Sequence, residues 1–190
     1  MGQLVLIRHA QTESNHSDVY MGSLDVPATE AALKLARVLG EELGGGPGFD
    51  RFVSSPLTRS TETMRAVLGS SSFEEDPRLA ERSLGLWEGK SRSFIQRANP
   101  DAFLEGGALN PKFRFPEGEE FEPFCARVRE FLISARDSPA ASRTLVVTHN
   151  GWIRSARFLT AEITAPEIFV IGEPHLRPLS LDLDHILELA

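Results

Sequence analysis

A single cysteine, Cys125, among 190 residues leaves no partner for an internal disulfide, so the fold must rest on packing alone. Long apolar runs are also missing. No stretch approaches the roughly 20 apolar residues that cross a bilayer. The first one, Leu4 to Ile7, breaks at Arg8-His9 before it can act as a secretory signal. Gly2 follows Met1, but Leu6 stands where a myristoylation signal carries Ser or Thr. No membrane is expected as a partner, and the expected location is the cytoplasm. Positive charge is scarce too, with 20 Lys and Arg against 27 Asp and Glu and a net charge of −7. That balance argues against a general nucleic-acid or membrane-surface binder. Most of the cations are Arg, the side chain suited to holding phosphate through paired hydrogen bonds.

What is present suits one globular unit. Hydrophobic residues make up 41% of the chain, enough for a sizeable core. A single domain over residues 1–190 is expected, with no internal repeat. Gln3 to Ile7 is a short apolar run of strand type. Thr29 to Leu43 has helical period, with Ala32, Leu35, Ala36, Leu39 and Leu43 as its apolar stripe, and the glycines from 44 to 48 end it. Arg51 to Ser54 is a second strand, followed by a helix to about Leu68 with Pro56 in its first turn. Phe73 to Asp76 is a short third strand, and Leu79 to Gly89 an irregular loop. Pro123 to Arg136 is helical, Thr144 to Thr148 is a buried strand, and a helix follows from Trp152. The alternating run Leu179 to Leu183 suits an edge strand with one wet face. Strands alternating with helices give an α/β class: a three-layer α/β/α sandwich on a mostly parallel sheet. Residues of about 91–121, broken by Pro100, Pro111 and Pro116, interrupt that alternation and are expected to form a small lid.

Arg8-His9 and His149 each follow an apolar strand, and the carboxyl ends of strands are where open α/β sheets bind ligands. Arg59 begins a helix at the same edge, where backbone N–H groups also favour anions. These parts suit phosphoryl transfer. A neutral imidazole attacks phosphorus, with a backbone acceptor on its other nitrogen fixing the tautomer. Cationic donors hold the equatorial oxygens, and a carboxylic acid protonates the leaving alkoxide. Glu81 is the candidate acid, with Glu88 and Glu13 as competitors. Asn15 suits a turn cap equally well. His16, His175 and His185 have no evident partner and no metal-ligand spacing, so surface or loop positions are expected. Trp87, Trp152 and Cys125 are expected to pack. Lys112 and Arg114 are candidate lid cations for a second anionic group.

The residues themselves resemble a known family. Leu6-Ile7-Arg8-His9-Ala10-Gln11-Thr12-Glu13-Ser14-Asn15 is similar to the signature of the histidine phosphatase superfamily, whose fold is phosphoglycerate-mutase-like. Ser54-Ser55-Pro56-Leu57-Thr58-Arg59 follows, then Leu79-Ala80-Glu81 with Gly85-Leu86-Trp87-Glu88-Gly89. Val147-Thr148-His149-Asn150-Gly151-Trp152-Ile153-Arg154 completes four blocks in the family's order, spanning residue 4 to about 157. The resemblance implies that His9 is the nucleophile and becomes phosphorylated. It implies a phosphate pocket of Arg8, Arg59 and His149, with Asn15 and Thr12 adding hydrogen bonds. Glu81 would be the proton donor and later the base that activates water. No metal and no cofactor is implied. Two positions depart from the pattern: Ala10 and Asn150 each stand where Gly is usual after a histidine.

The implied activity is metal-independent hydrolysis of a small phosphorylated substrate, a phosphomonoester. A phosphoglycerate-type mutase would use the same intermediate but retain its product, and Leu86-Trp87-Glu88-Gly89 resembles the phosphatase branch. A catalytically silent phospholigand-binding module would lack a catalytic group, whereas His9, Glu81 and His149 are all present. Neither the substrate nor the oligomeric state is written in these motifs.

Overall fold

The computed structural model describes residues 3–44, 48–69, 72–105, 109–110, 113–138 and 143–188. Lys112, Pro111 and the glycines at 45 and 46 lie outside them. The chain runs β1 (Gln3–Arg8), α1 (Glu30–Glu42), β2 (Arg51–Ser54), α2 (Thr58–Leu68), β3 (Glu74–Glu75), α3 (Arg92–Ala98), α4 (Phe121–Arg136), β4 (Arg143–Thr148), α5 (Asn150–Leu159) and β5 (Leu179–Leu181). The sheet order is β3-β2-β4-β1-β5. The first four strands are parallel, and β5 pairs antiparallel with β1, Val5 opposite Ser180.

Side chains alternate across a strand, so β1 feeds two cores. Leu4 and Leu6 join Val146 and Val53 under α4 and α5, where Phe124, Phe131, Trp152 and Leu159 are buried. Val5 and Ile7 join Leu145 and Val147 on the opposite face, under Ala36, Leu39, Met64 and Val67 of α1 and α2. Buried on both faces, β1 and β4 carry continuous apolar runs rather than alternating ones. The result is the three-layer α/β/α arrangement expected from the sequence. Among the described residues no helix is long and apolar enough to cross a membrane.

Several expectations need correction. Leu35 does not belong to the buried stripe of α1; it is 63% exposed. Thr29 caps that helix by accepting the Ala32 N–H, and Gly44, at φ +74°, donates to the Glu41 carbonyl where the helix stops. Pro56 lies outside α2, which begins at Thr58 with Leu57 as its cap. α4 starts two residues earlier than its apolar pattern suggested, and α5 starts at Asn150.

The described residues between 91 and 121 are less irregular than the prolines suggest. Ser91 accepts the Phe94 N–H and starts α3, a helix that the sequence pattern did not reveal. Trp87, Ile95, Ala102 and Phe115 make a small core of their own. Trp87 is its hub, with Tyr20, Phe103, Phe113 and Phe115 rings 4.9–5.9 Å away. Trp87 therefore packs, as does Trp152, whose indole N–H donates to the Arg78 carbonyl over 2.8 Å. Cys125 is buried, and burial pushes its thiol up to about 11.

Candidate active site

β1, β2 and β4 end side by side and are stitched together there. The His9 N–H donates to the Thr148 carbonyl (2.9 Å) and the Ser55 N–H to that of Val147 (3.0 Å). This brings His9, Ser55 and His149 to one edge of the sheet. The two imidazoles lie 5.1 Å apart, centroid to centroid, and both are buried.

His9 has one ring nitrogen committed. Its Nδ1 lies 2.7 Å from the Ala10 carbonyl, which can only accept, so Nδ1 carries the proton and Nε2 keeps its lone pair. Burial, with Arg59 and Arg8 nearby, holds the imidazole well below its ordinary pKa and therefore neutral. Ala10 costs nothing as a replacement for Gly: its φ is not positive, and its N–H donates to Thr63 Oγ1 over 2.9 Å. His149 is held neutral in the same way, by burial first and Arg59 second. Its Nε2 is 2.7 Å from Ser55 Oγ, a hydroxyl that also accepts the Leu57 N–H. The same Nε2 is 3.3 Å from Ser60 Oγ, whereas Nδ1 is buried and has no partner in the protein.

A cavity of about 340 Å3 opens over His9. Arg8, Asn15, Arg59 and Glu81 line it, as do Arg82, Asn150 and Arg154. Arg59 is fully buried and anchors two nitrogens on the Leu24 and Gly22 carbonyls (2.7 and 2.9 Å). Arg8 donates to the Glu173 carbonyl (2.5 Å), and burial lowers it to about 10. Arg154 donates to the Ile171 carbonyl (2.9 Å). In each of these three arginines Nε is buried without a partner, which adds to Nδ1 of His149. Buried donors are normally satisfied, so three unsatisfied guanidinium nitrogens on residues lining one cavity mark a place for an anion; His149 itself is fully buried and does not line it.

Glu81 faces this group from the loop after β3. Its Oε1 accepts the Arg82 N–H (3.0 Å) and its Oε2 the Gly151 N–H at the start of α5 (2.8 Å). The loop is clamped by Arg127 of α4, which donates to the carbonyls of Arg78, Ala80 and Glu81 and pairs with Glu119 through two nitrogens. The competing carboxylates are elsewhere. Glu88 Oε1 accepts from the backbone of Ser23 and Leu84, and Glu13 is exposed in a 3-10 turn.

Thr12 is not brought to the cavity wall. It is buried, and its hydroxyl and N–H both donate to Asn15 Oδ1 (3.1 and 2.8 Å), so it orients Asn15 rather than facing a ligand. Arg114 is exposed and pairs with Glu120. Asn150 lines the cavity while its Oδ1 accepts the Glu173 N–H (2.8 Å). Sequence reasoning missed three groups. Arg154 lies one helical turn beyond Asn150, a spacing that places both on one face of α5. Arg127 lies in a helix with no motif to mark it. His175, expected at a surface or loop position without a partner, lies in a turn before β5 but packs edge-on to His9 at 5.3 Å and donates from Nδ1 to the His9 carbonyl (2.6 Å). Burial first, then Arg8, holds it at about 4.

Residues 4–182 match the model of the histidine phosphatase superfamily (branch 1). The chain belongs to the histidine phosphatase superfamily. Phosphoserine phosphatase 1 of Hydrogenobacter thermophilus is 30% identical over 151 residues, covering 78% of this chain and 71% of that one. A 2,3-bisphosphoglycerate-dependent phosphoglycerate mutase of Rhizobium etli is 29% identical over 186 residues, covering 94% and 89%. Among solved structures, Bacillus stearothermophilus YhfR superposes with a TM-score of 0.80 at 26% identity, over 96% of this chain and 91% of that one. Phosphoryl transfer through a phosphohistidine is general to histidine phosphatases, and this chain is a phosphatase-type hydrolase of that superfamily.

Proposed function

We propose that His9 is the phosphate acceptor in a two-step hydrolysis of small phosphomonoesters. The carrying observation is the pairing of a neutral His9, its Nε2 free, with three buried guanidinium nitrogens that lack partners. In the first step Nε2 of His9 attacks phosphorus, the bond to the ester oxygen breaks, and Glu81 passes its proton to the departing alkoxide. In the second step water attacks the phosphohistidine and gives a proton to Glu81. The N–P bond breaks, and inorganic phosphate leaves a neutral His9. Arg8, Arg59 and His149 hold the three non-bridging oxygens through both steps, and Asn15 adds a further polar group. Arg154 belongs with them on the same reasoning.

Residues 91–121 act in this reading as a lid that meets the rest of the ligand. A cytoplasmic setting is part of the proposal, in keeping with one buried thiol and no disulfide. The name of the Rhizobium relative favours a second reading, transfer between two hydroxyls of one substrate. Phosphate release separates the two. With phosphoserine, phosphoglycerate and an aryl phosphate in EDTA, hydrolysis predicts one phosphate per ester consumed, lost in His9→Ala. A mutase isomerises phosphoglycerate with little phosphate released.

A further inference from the structure

The cavity over His9 is larger than a phosphoryl group requires and lies within the roughly 300–1,000 Å3 of sites for drug-sized ligands. Its two ends differ in chemistry. Around His9 the wall is arginine and Glu81, and Glu81 is the only carboxylate among the described lining residues. The lid side of the wall is aromatic and aliphatic, with Tyr20, Leu84, Phe103 and Leu109 from around the lid core and Phe121 and Phe169 beside them; Arg92 is its one cation, over the Tyr20 ring at 5.6 Å. Six of the chain's fifteen aromatic side chains line this one cavity.

Part of that wall belongs to the small lid core, and packing explains Phe115, which is 7% exposed. Phe124 is likewise buried in the main core, and Tyr20 and Phe103 each set one face against Trp87, while Phe121 and Phe169 pack on each other at 5.4 Å. Tyr20, Phe103, Phe121 and Phe169 are only half-buried, and they come from four separate segments. Their residual surface faces a space continuous with the phosphate end. Arg82 supplies the polar group at the junction. Its guanidinium is held over the rings of Phe115 (4.8 Å) and Phe121 (5.4 Å), its Nε donates to the Glu119 carbonyl (2.8 Å), and its backbone N–H holds Glu81.

We propose that this end of the cavity is a subsite for an aromatic ring carried on the alcohol part of the substrate. The substrate class is then a phosphomonoester of a ring-bearing alcohol rather than a small polar hydroxy acid. Arg82 stands at the rim as donor to an acceptor on that ring or its linker. The inference rests on the hydrolase reading for the direction in which the ester lies. The ring subsite itself is open to a binding measurement that needs no turnover.

The test compares 2-phenylethyl phosphate with ethyl phosphate, esters of alcohols of similar acidity. Dissociation constants are measured by calorimetry on the full chain carrying His9→Asn. The expected result is binding of the phenylethyl ester tighter by about tenfold or more, the effect of burying a phenyl ring. In Tyr20→Ala and Phe169→Ala, made separately in the same background, that ratio shrinks several-fold. Equal affinity for the two esters overturns the proposal, and so does a preference that survives in both ring variants. Turnover of the same two esters by wild type reports separately on the hydrolase reading, so failure of one is not mistaken for failure of the other.

Discussion

The Gly151 N–H donates to Oε2 of Glu81 over 2.8 Å, and a Cβ on Gly151 would stand 2.5 Å from the other carboxyl oxygen. The first turn of α5 thus sets where the Glu81 carboxyl sits and leaves no room for a side chain beneath it. Gly151→Ala is otherwise a favourable change, because Ala is about 1 kcal/mol better than Gly inside a helix. The variant should keep its thermal stability and lose on the order of a hundredfold in kcat, through a displaced acid. An unchanged kcat would show that the position of Glu81 does not matter.

Glu81→Gln removes the proton and leaves an acceptor for one of the two N–H groups. If Glu81 protonates the leaving oxygen, alkyl phosphates should slow by about 100- to 10,000-fold, the range of general acid catalysis. Aryl phosphates, whose phenolate leaves unaided, should slow much less. Equal losses on both, in a series of esters of graded alcohol acidity, would remove Glu81 from that role.

The unpartnered guanidinium nitrogens of Arg8, Arg59 and Arg154 predict stabilisation by oxyanions. Phosphate or vanadate at a hundred times its Kd contributes about 2.7 kcal/mol. For a chain of this size that raises Tm by roughly 5–10 °C. Differential scanning calorimetry in phosphate against chloride at matched ionic strength checks it, and no shift would mean the pocket does not take the anion.

The histidines give stability a pH dependence of known sign. His175 titrates at about 4 when folded against 6.5 when unfolded. Between those values the unfolded chain holds a proton that the folded one lacks, so stability is intact above pH 6.5 and falls as pH drops towards 4. His9 and His149, buried and neutral, extend the loss further down. Unfolding curves across this window should show a shallower fall for His175→Gln, by up to one proton per molecule. The same slope in both proteins would place the acid sensitivity elsewhere.

The parts of the fold that were legible in the sequence are those whose burial is continuous. β1 and β4 are covered on both faces and read as unbroken apolar runs, so the edge carrying His9 and His149 is legible in the sequence alone. α3 was hidden because only Ile95 among its seven residues is buried, which leaves no stripe to detect. His175 was hidden for another reason. Its partner is the His9 carbonyl, a backbone atom that imposes no residue type and no spacing. Thr12 shows the converse, since a motif position supplied the residue but not the direction of its hydroxyl, which Asn15 takes. Asn150 departs from the pattern because it has a second task, binding the Glu173 N–H in the segment that also receives Arg8 and Arg157.

Every step of the proposed hydrolysis depends on phosphate passing through His9. The most direct test is mass spectrometry of protein quenched during turnover of a phosphomonoester in EDTA. Transfer through His9 gives one phosphoryl group, acid-labile and mapped to His9, at a rate matching phosphate release, with neither adduct nor release in His9→Ala. Turnover that persists in His9→Ala, or that EDTA abolishes, would contradict it.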